Sequence, residues 1–245
     1  VDIDLANKSI DNIKKAVKTT FNKNTLSVLG AFGGCYDFPK NDYDQPVLVS
    51  STDGVGTKLK IANTLGHLES LGMDLVNQTV NDIIPVGARP LFFLDYISMG
   101  SLQPQQVDQL VRGIVWACRQ VECALIGGET AEQPGLYSGE DFDLAGFVVG
   151  AVECSEVIDN SSIAIGDILL GIASSGLHTN GCSLARKVFR TDEDHRILYK
   201  RFQELGHTLG EELLIPHRSY FPLLEPVFGH IKGMAHISGG GIPGN

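Results

Sequence analysis

The alternation of apolar and polar stretches along the chain predicts a mixed α/β protein. Short apolar runs bounded by polar or glycine-rich segments are typical of buried strands, and they predict strands at 46–51, 91–97, 123–127, 143–152 and 168–173. Apolar residues at helical spacing predict helices within 71–88, 107–121, 181–189 and 217–228. The same spacing marks a first helix at Ile10, Ile13, Val17 and Phe21.

A polar stretch from Ser155 to Gly166 holds no apolar run and separates two parts of this pattern. We interpret it as a linker. It predicts an N-terminal domain over 1–165 and a C-terminal domain over 166–245. A chain of 245 residues is long enough for one large or two modest domains, each with its own core.

Composition narrows the class of protein. Hydrophobic residues make up 43% of the chain and the mean hydropathy is +0.05, which is typical of a globular protein. No apolar run approaches the ~20 residues that a membrane-spanning helix needs. The first residues, VDIDLANKSID, are too polar and acidic for a secretory signal. We therefore expect no membrane partner.

Cysteine usage and charge add two further expectations. The five cysteines are odd in number and scattered, with no CxxC pair, which favours reduced thiols in a cytoplasmic protein. The net charge of −10 argues against a nucleic-acid partner, because phosphate backbones attract Lys and Arg. An acidic protein that binds phosphorylated ligands needs magnesium or a few placed cations.

The most informative segment is VLVSSTDGVGTK, where an apolar strand runs directly into Asp53, Gly54, Gly56, Thr57 and Lys58. Glycines let backbone N–H groups approach a phosphate, a lysine adds positive charge, and a carboxylate can hold the magnesium. The Walker A spacing is absent. An ordinary strand–turn–helix junction with a capping aspartate or threonine is an equally open interpretation.

The helix predicted at 71–88 carries an unusual polar stripe. Its apolar side gathers Leu75, Val76, Val80, Ile83 and Ile84. Its polar side gathers Asp74, Asn77, Gln78 and Asn81, with Asp82 at the border. A solvent-facing helix usually carries Lys, Arg or Glu, and this stripe has none. We favour a ligand-facing surface of oxygen donors suited to magnesium over an ordinary wet face.

Three further segments carry candidate residues. An apolar strand ends in Gly-Gly and Glu129 within ALIGGETAEQPGLY, and another predicted strand ends in a loop with His178 and Asn180 within LLGIASSGLHTNG. Ligands of open α/β sheets bind beyond strand ends, and a loop before a helix suits an anion. The glycine-rich loop LGAFGG, with Gly33 and Gly34, is either a phosphate contact or a plain turn.

These segments, taken in order, resemble one enzyme family. STDGVGTK, GMDLVNQTVNDI, PLFFLDY, GGETAEQPGLY, DLAGFVVGAVE, GDILLGIASSGLHTNG and AHISGGG are together similar to aminoimidazole ribonucleotide synthetase, also called phosphoribosylformylglycinamidine cyclo-ligase, of purine biosynthesis. The resemblance covers almost the whole chain. Formylglycinamidine ribonucleotide synthase, selenophosphate synthetase, the hydrogenase maturation protein HypE and thiamine phosphate kinase share the acid-rich nucleotide site, but PLFFLDY and GGETAEQPGLY favour the cyclo-ligase.

The resemblance implies a fold and an assembly. The N-terminal domain is expected to contribute a sheet that pairs with its twin in a homodimer and forms a closed barrel, which would hide the sheet edges. A second α/β domain carries the SSGLHTNG loop. Family members usually continue beyond the GGG segment and begin before VDID, so we expect the second domain to be truncated here.

The resemblance also implies a reaction and the residues that serve it. ATP phosphorylates the formyl oxygen of formylglycinamidine ribonucleotide, the amidine nitrogen attacks, and ADP and phosphate leave as the imidazole ring forms. We expect Asp53 and Asp82 to be catalytic metal and phosphate-site residues, with Asp74 and Glu129 as further magnesium candidates. We expect His178 to move the proton at the closing nitrogen. The phosphate contacts are expected at Gly33, Gly34, Asp53, Gly54, Gly56, Thr57, Lys58, Asn81 and Asn180.

Two other hypotheses stay open. Under the first hypothesis, the chain is another ATP-using enzyme of the same superfamily, of the formylglycinamidine ribonucleotide synthase or selenophosphate synthetase type. Selenophosphate synthetase needs a reactive N-terminal Cys or selenocysteine beside a lysine, and Cys35 in GGCYDF has no such lysine. Alternatively, the chain is a non-catalytic ATP-binding and dimerisation module. Release of ADP with the amidine substrate separates an enzyme from a module.

Overall fold

The structure is a computed structural model that describes residues 13–27, 30, 33–137 and 141–245. Ile10, part of the predicted first helix, lies outside the described residues, as do the middle positions of the LGAFGG loop. Within the described part, residues 13–18 form helix α1, whose Val17 is buried in the core.

Four strands form one sheet in the first half of the chain: β1 (Pro46–Gly54), β2 (Arg89–Met99), β3 (Ala124–Glu132) and β4 (Phe142–Glu153). Their order across the sheet is β1-β4-β2-β3. The β2–β3 pair is parallel, and β4 runs antiparallel to both of its neighbours. The four strands predicted for this half are confirmed, and the mixed α/β class with them.

Helices connect and cover the strands. They are α2 (Lys58–Leu65), α3 (Glu69–Ile83), α4 (Pro104–Gln120), α5 (Cys182–Phe189), α6 (Leu209–Leu213), α7 (Phe221–Leu224) and α8 (Gly241–Gly244). Short 3-10 helices occupy Lys40–Asp42, Ile84–Val86, Cys154–Glu156, His195–Tyr199 and Glu225–His230. In the described ranges, no helix is long and apolar enough to cross a membrane.

Prolines explain two differences from the predicted helices. The helix predicted at 71–88 ends at Ile83, and a 3-10 turn with Pro85 follows it. The helix predicted at 217–228 is only partly formed, as the short α7 and the 3-10 helix after it, each with a proline in its first positions. A proline lacks the backbone N–H that helix continuation needs, so it sits at a helix start or ends the one before it.

One face of the sheet is covered by α3 and α4, which pack against each other over a glycine contact. A Cβ at Gly72 would lie 2.2 Å from the Leu110 carbonyl oxygen, and one at Gly113 would lie 1.9 Å from the Glu69 carbonyl oxygen. A side chain at either position would force the helices apart, so the glycines let the two backbones touch. The buried residues of α3 then reach the sheet at β1 and β4.

The predicted strand at 168–173 is wrong. These residues run as coil, and Ile168, Leu169 and Leu170 are largely exposed. A strand is defined by a hydrogen-bonded neighbour, and no described residue pairs with this segment. The apolar side chains on which the strand prediction rests are therefore exposed in this structure.

The second half of the chain packs on the first through a shared core. Leu198, Leu209, Leu213 and Phe221 belong to the same buried cluster as the apolar residues of α3. The polar contacts between the halves are concentrated on α3 as well. That arrangement places the loops of the second half beside the end of β1.

Candidate functional site

The DGVGT turn at the end of β1 is held in place from both halves of the chain. Asp53 accepts hydrogen bonds from the Gly54 backbone N–H at 2.7 Å and from the Gln78 side-chain amide of α3. Gly56 adopts φ +57, a left-handed conformation that glycine takes without strain. The Thr57 hydroxyl lies 2.8 Å from the Ser183 hydroxyl at the start of α5. The turn therefore lies between α3 and the second half.

Asp82 lies next to this turn. One of its carboxylate oxygens accepts a hydrogen bond from the Ser51 hydroxyl at 3.0 Å, and the other lies 2.8 Å from Nδ1 of His236. Ser51 and Asp53 are two residues apart on β1, and their partners Asp82 and Gln78 are four residues apart on α3. Both spacings put side chains on one face, so the Asp53 and Asp82 carboxylates both lie on the side of β1 where α3 packs.

Lys58 is fully buried at the start of α2. Its ammonium lies 2.8 Å from the Asp74 carboxylate and donates to the Ile215 carbonyl at 2.8 Å. Burial raises the pKa of Asp74 to about 6, against the opposing pull of Lys58 and of a hydrogen bond from the His217 backbone N–H. This ion pair joins α2, α3 and the second half. In this structure the Lys58 ammonium faces Asp74 rather than solvent, and its predicted phosphate contact stays a prediction.

The polar stripe of α3 binds the backbone of segment 215–220. The Asn77 side chain donates to the His217 carbonyl at 2.7 Å. Asn81 donates to the Arg218 carbonyl at 2.8 Å and accepts from the Tyr220 N–H at 3.0 Å. In this structure Asp74, Asn77 and Asn81 of the stripe therefore face another part of the protein. The predicted roles of Asn81 at a phosphate and of Asp74 at a metal stay predictions.

Three histidines gather where segment 215–220 meets the SSGLHTNG loop. The rings of His178 and His217 stack with centroids 4.0 Å apart, and the His236 ring lies 5.4 Å from that of His217. Burial and the neighbouring histidines and Lys58 lower the pKa of His217 to about 2. Burial first, then His236 and Lys58, also lower the pKa of His178. These lowered pKa values favour the uncharged rings of His178 and His217.

The remaining predicted residues lie apart from this group. Glu129 is on β3, and β4 and β2 separate it from Asp53 on β1. Three strand spacings amount to about 14 Å. Asp53 pairs across with Gly146, whereas Glu129 is in register with Tyr96 on the opposite face of the sheet. Within this chain, the structure does not bring Glu129 to the Asp53 carboxylate.

The glycine loop is also at the far edge of the sheet. A Cβ at Gly34 would lie 2.8 Å from the Ile126 side chain, so this glycine packs directly on β3. Gly33 is exposed beside it. Asn180 is exposed in the loop that carries His178, on the β1 side of the molecule. The phosphate contacts predicted at these three positions stay predictions, and the two glycines lie across the sheet from Asp53.

Sequence reasoning missed two histidines of the site. His217 lies in a proline-flanked loop with no pattern that marks it as buried, and its contacts come from α3 residues more than a hundred positions away. His236 lies in the AHISGGG segment, which was noted only as a motif. The available signal was the presence of a histidine in one of the segments that carry the family resemblance.

The carboxylates present fit magnesium, though not a metal held by the protein alone. In the described part of the chain, no group of three or more His, Cys, Asp or Glu side chains is arranged to hold a metal ion. Magnesium commonly takes one or two carboxylates, water and the phosphates of its substrate. Asp53 and Asp82 supply two such carboxylates, and the Ser51 and Gln78 side chains orient them.

Comparison with known proteins identifies the class to which this fold and site belong. The model of the AIR synthase related protein N-terminal domain matches residues 34–152, and that of the C-terminal domain matches residues 164–245. The structure of HypE from E. coli superposes with a TM-score of 0.61 over 96% of this chain and 66% of that one, at 14% identity. That likeness concerns the fold alone. The chain is an AIR synthase related protein.

Curated relatives identify the family within that class. The phosphoribosylformylglycinamidine cyclo-ligase of Carboxydothermus hydrogenoformans is 52% identical over the whole of this chain and 72% of its own length. The enzyme of the same name from Thermodesulfovibrio yellowstonii is 51% identical over the same shares. The chain therefore belongs to the phosphoribosylformylglycinamidine cyclo-ligase family, as the sequence motifs indicated.

Proposed function

We propose that this chain catalyses the ATP-dependent closure of formylglycinamidine ribonucleotide to aminoimidazole ribonucleotide, a step of purine biosynthesis. The observation that carries this proposal is the meeting of three groups at the end of β1. They are the Asp53 and Asp82 carboxylates, the glycine turn between β1 and α2, and the histidine cluster of the second half. The chain that holds these groups shares about half of its residues with two curated phosphoribosylformylglycinamidine cyclo-ligases.

The chemistry requires that a poor leaving group be made a good one. The formyl oxygen of the substrate attacks the terminal phosphorus of ATP, the bond to ADP breaks, and the oxygen becomes a phosphate ester. The amidine nitrogen then adds to the formyl carbon. The carbon–oxygen bond breaks, inorganic phosphate departs, and the nitrogen loses its proton as the ring becomes aromatic. Phosphoryl transfer of this kind depends mainly on positioning and charge neutralisation.

The residues at the end of β1 are assigned to the phosphates and their magnesium. Asp53 and Asp82 would hold the metal, which when bound supplies positive charge to the transferring phosphoryl group. The backbone of Gly54, Gly56 and Thr57 forms the turn nearest to these carboxylates, so its N–H groups can approach the phosphate chain. A contact with Lys58 would require its ion pair with Asp74 to open.

His178 is assigned to the proton at the closing nitrogen. It lies on the loop of the second half that faces the β1 turn, since Thr179 approaches Gly56 and Ser183 contacts Thr57. Its ring is half-buried and is held by the Ser175 backbone N–H at 3.0 Å. A histidine so placed has a fixed orientation beside the β1 turn. The role of Asn180 at a phosphate is proposed for the same loop.

The homodimer and its barrel are part of the proposal. The sheet face opposite to α3 and α4 is apolar and partly exposed, with Leu48 at 64%, Phe147 at 38% and Tyr96 at 37% exposure. A second copy laid on this face would bury those side chains and enclose the edge strands. It would also supply another Glu129 to the assembly. A cytoplasmic location fits the free cysteines at the described positions.

The domain division is proposed between residues 165 and 166. The two family matches, which leave residues 153–163 between them, support a boundary in that region. The contacts through α3 hold the His178 loop in position against the first domain.

The proposal is tested by measuring ADP release from magnesium-ATP with and without formylglycinamidine ribonucleotide, together with the imidazole product. We expect ADP and product to appear in equal amounts, and only when both substrates are present. A matched control is the Asp53→Asn chain, which keeps the size of the side chain and loses its charge. ATP binding without substrate-dependent ADP release would support the non-catalytic module instead.

A further inference from the structure

The hydrogen bonds of Asn81 determine which form of His217 is present. The Tyr220 backbone N–H can only donate, so the Asn81 atom that it meets at 3.0 Å must be the oxygen. The Asn81 nitrogen then donates to the Arg218 carbonyl at 2.8 Å. That nitrogen also lies 3.0 Å from Nε2 of His217. Since the amide nitrogen cannot accept, Nε2 of His217 must carry a lone pair.

His217 is therefore an uncharged ring with its proton on Nδ1. Nδ1 lies 3.4 Å from the Thr179 hydroxyl, which can accept that proton's hydrogen bond. The backbone of His217 is fixed as well, by Asp74 at its N–H and by Asn77 at its carbonyl. Four side chains hold this residue, three of them on α3. It presents a flat, immobile face to the neighbouring loop.

His178 lies on that face, and its own hydrogen bond determines its tautomer. The Ser175 backbone N–H donates to Nε2 of His178 at 3.0 Å, so this nitrogen too carries a lone pair. The proton of the neutral ring is then on Nδ1, and no described residue is hydrogen-bonded to that nitrogen. His178 has φ +57. Its unusual backbone and the stacking at 4.0 Å aim the ring in one direction.

We propose that His178 acts as a neutral hydrogen-bond donor through Nδ1–H, and that His217 is the positioning residue that keeps it in this form. To act as a base at Nδ1, His178 would need its proton on Nε2, where the Ser175 N–H already points. A neutral Nδ1–H instead suits the oxygens that gain negative charge as phosphate leaves the substrate, and this role replaces the proton transfer first assigned to His178. This role rests on the proposed function, whereas the tautomer itself does not.

The groups that face His178 also favour its uncharged form. The His217 ring covers one face, and the Tyr220 ring lies 6.3 Å away on the same segment. Burial most of all, and then the more distant His236 and Lys58, lower the pKa of His178 and so oppose a positive charge on its ring. No cation is needed on His178 for the role proposed, and the surroundings disfavour one.

The tautomer is measured directly by two-bond nitrogen–proton NMR correlation of the histidine rings at pH 7, on nitrogen-labelled chain without ligands. Signals are assigned by their loss in His178→Asn and His217→Gln. We expect Nε2 of both residues to be unprotonated and Nδ1 to carry the proton. Protonation of His178 at Nε2, or a doubly protonated ring, overturns the proposal, whatever the activity of the chain.

The positioning role is tested with a pair of variants at 217. His217→Gln keeps an acceptor for Asn81 but removes the ring, and His217→Phe keeps a ring for stacking. We expect His178 to become a mixture of tautomers in the Gln variant and to remain protonated on Nδ1 in the Phe variant. The same result in both folded variants contradicts the role. His195→Gln, at an exposed position, is the control and should leave His178 unchanged.

Discussion

Lys58 and Asp74 form a fully buried ion pair, with the ammonium nitrogen 2.8 Å from the carboxylate oxygen. Lys58 belongs to the turn that follows β1, and Asp74 to α3. The same two side chains hold the backbone of Ile215 and His217 from the second half. The pair thus couples the β1 turn to the loops that carry the histidines, and it makes the geometry of the site depend on one interaction.

Breaking this pair should destabilise the protein strongly. Lys58→Met or Asp74→Asn leaves the partner buried without full compensation, which costs about 3–5 kcal/mol of unfolding free energy. Urea unfolding at pH 7 measures it. Arg112→Ala, which removes a surface pair with Asp108, is the control and should cost less than about 1 kcal/mol. If all three variants lost the same small amount of unfolding free energy, the buried pair would not be important for stability.

Asp53→Asn and Asp82→Asn should each weaken magnesium-dependent ATP use while leaving the fold intact. An amide keeps the size of the carboxylate but loses the charge that holds the cation. The measurement is ADP release as a function of magnesium at fixed ATP. Asp159→Asn, at an exposed position in the polar stretch from Ser155 to Gly166, serves as the control. Unchanged magnesium dependence in both site variants would remove these residues from the metal assignment.

Replacing His178 should lower turnover by about 10²–10⁴-fold, a range that covers the loss of a positioned proton-transfer group and the loss of a hydrogen-bond donor to the departing phosphate. His178→Asn is the preferred variant, because asparagine tolerates the positive φ of +57 better than alanine. Stability should change little, since the ring is only half-buried. A drop in ATP affinity with unchanged turnover would make His178 a binding residue instead.

His217 should make the protein sensitive to acid. Its pKa is about 2 in the folded chain and about 6.5 when unfolded. Below pH 6.5 the unfolded chain therefore binds the proton first, and stability falls as pH falls, by about 1.4 kcal/mol per pH unit from this group. Asp74, with its pKa raised to about 6, contributes the opposite slope between its ordinary pKa and 6.

The two slopes are separated by comparing the chain with its His217→Gln variant. The difference between their unfolding free energies should shrink steadily between pH 6 and pH 4, because only the unmodified chain loses the His217 contribution there. Urea unfolding at constant ionic strength provides the values. A difference that does not change with pH in this window would show that His217 is not held uncharged.

The exposed sheet face should mediate dimer formation. Phe147→Lys places a charge in the middle of the apolar face opposite to α3 and α4, so we expect it to dissociate the dimer. Sedimentation at micromolar concentration measures the state. Leu136→Lys, at an exposed position beyond β3, is the control. A monomeric unmodified chain, or a Phe147→Lys variant that stays dimeric, would contradict the proposed interface.

The sequence predicted local secondary structure better than it predicted which segments of the chain contact one another. The four strands of the first half are confirmed because alternating or continuous apolar runs follow directly from burial on a sheet. The segment 168–173 shows the limit of that reasoning, since its apolar residues are exposed where no described strand pairs with it. At 217–228, prolines outweighed the helical spacing of the apolar residues.

The same contrast between local patterns and long-range contacts applies to the candidate site. The neighbourhood of Asp53 and Asp82 follows from a strand end and a helix stripe, both visible in the sequence. Glu129 was expected beside them because it too ends an apolar strand, but the order β1-β4-β2-β3 puts two strands between them. The Lys58–Asp74 pair and the contacts of His217 join residues far apart in the chain, and no local pattern encodes such pairings.

The most direct test of the central claim follows the formyl oxygen. Formylglycinamidine ribonucleotide labelled with oxygen-18 at the formyl group is turned over with unlabelled ATP in unlabelled water, and the inorganic phosphate is analysed by mass spectrometry. The proposed reaction transfers that oxygen to phosphorus, so each phosphate released should carry the label. Imidazole product formed together with unlabelled phosphate would contradict the account.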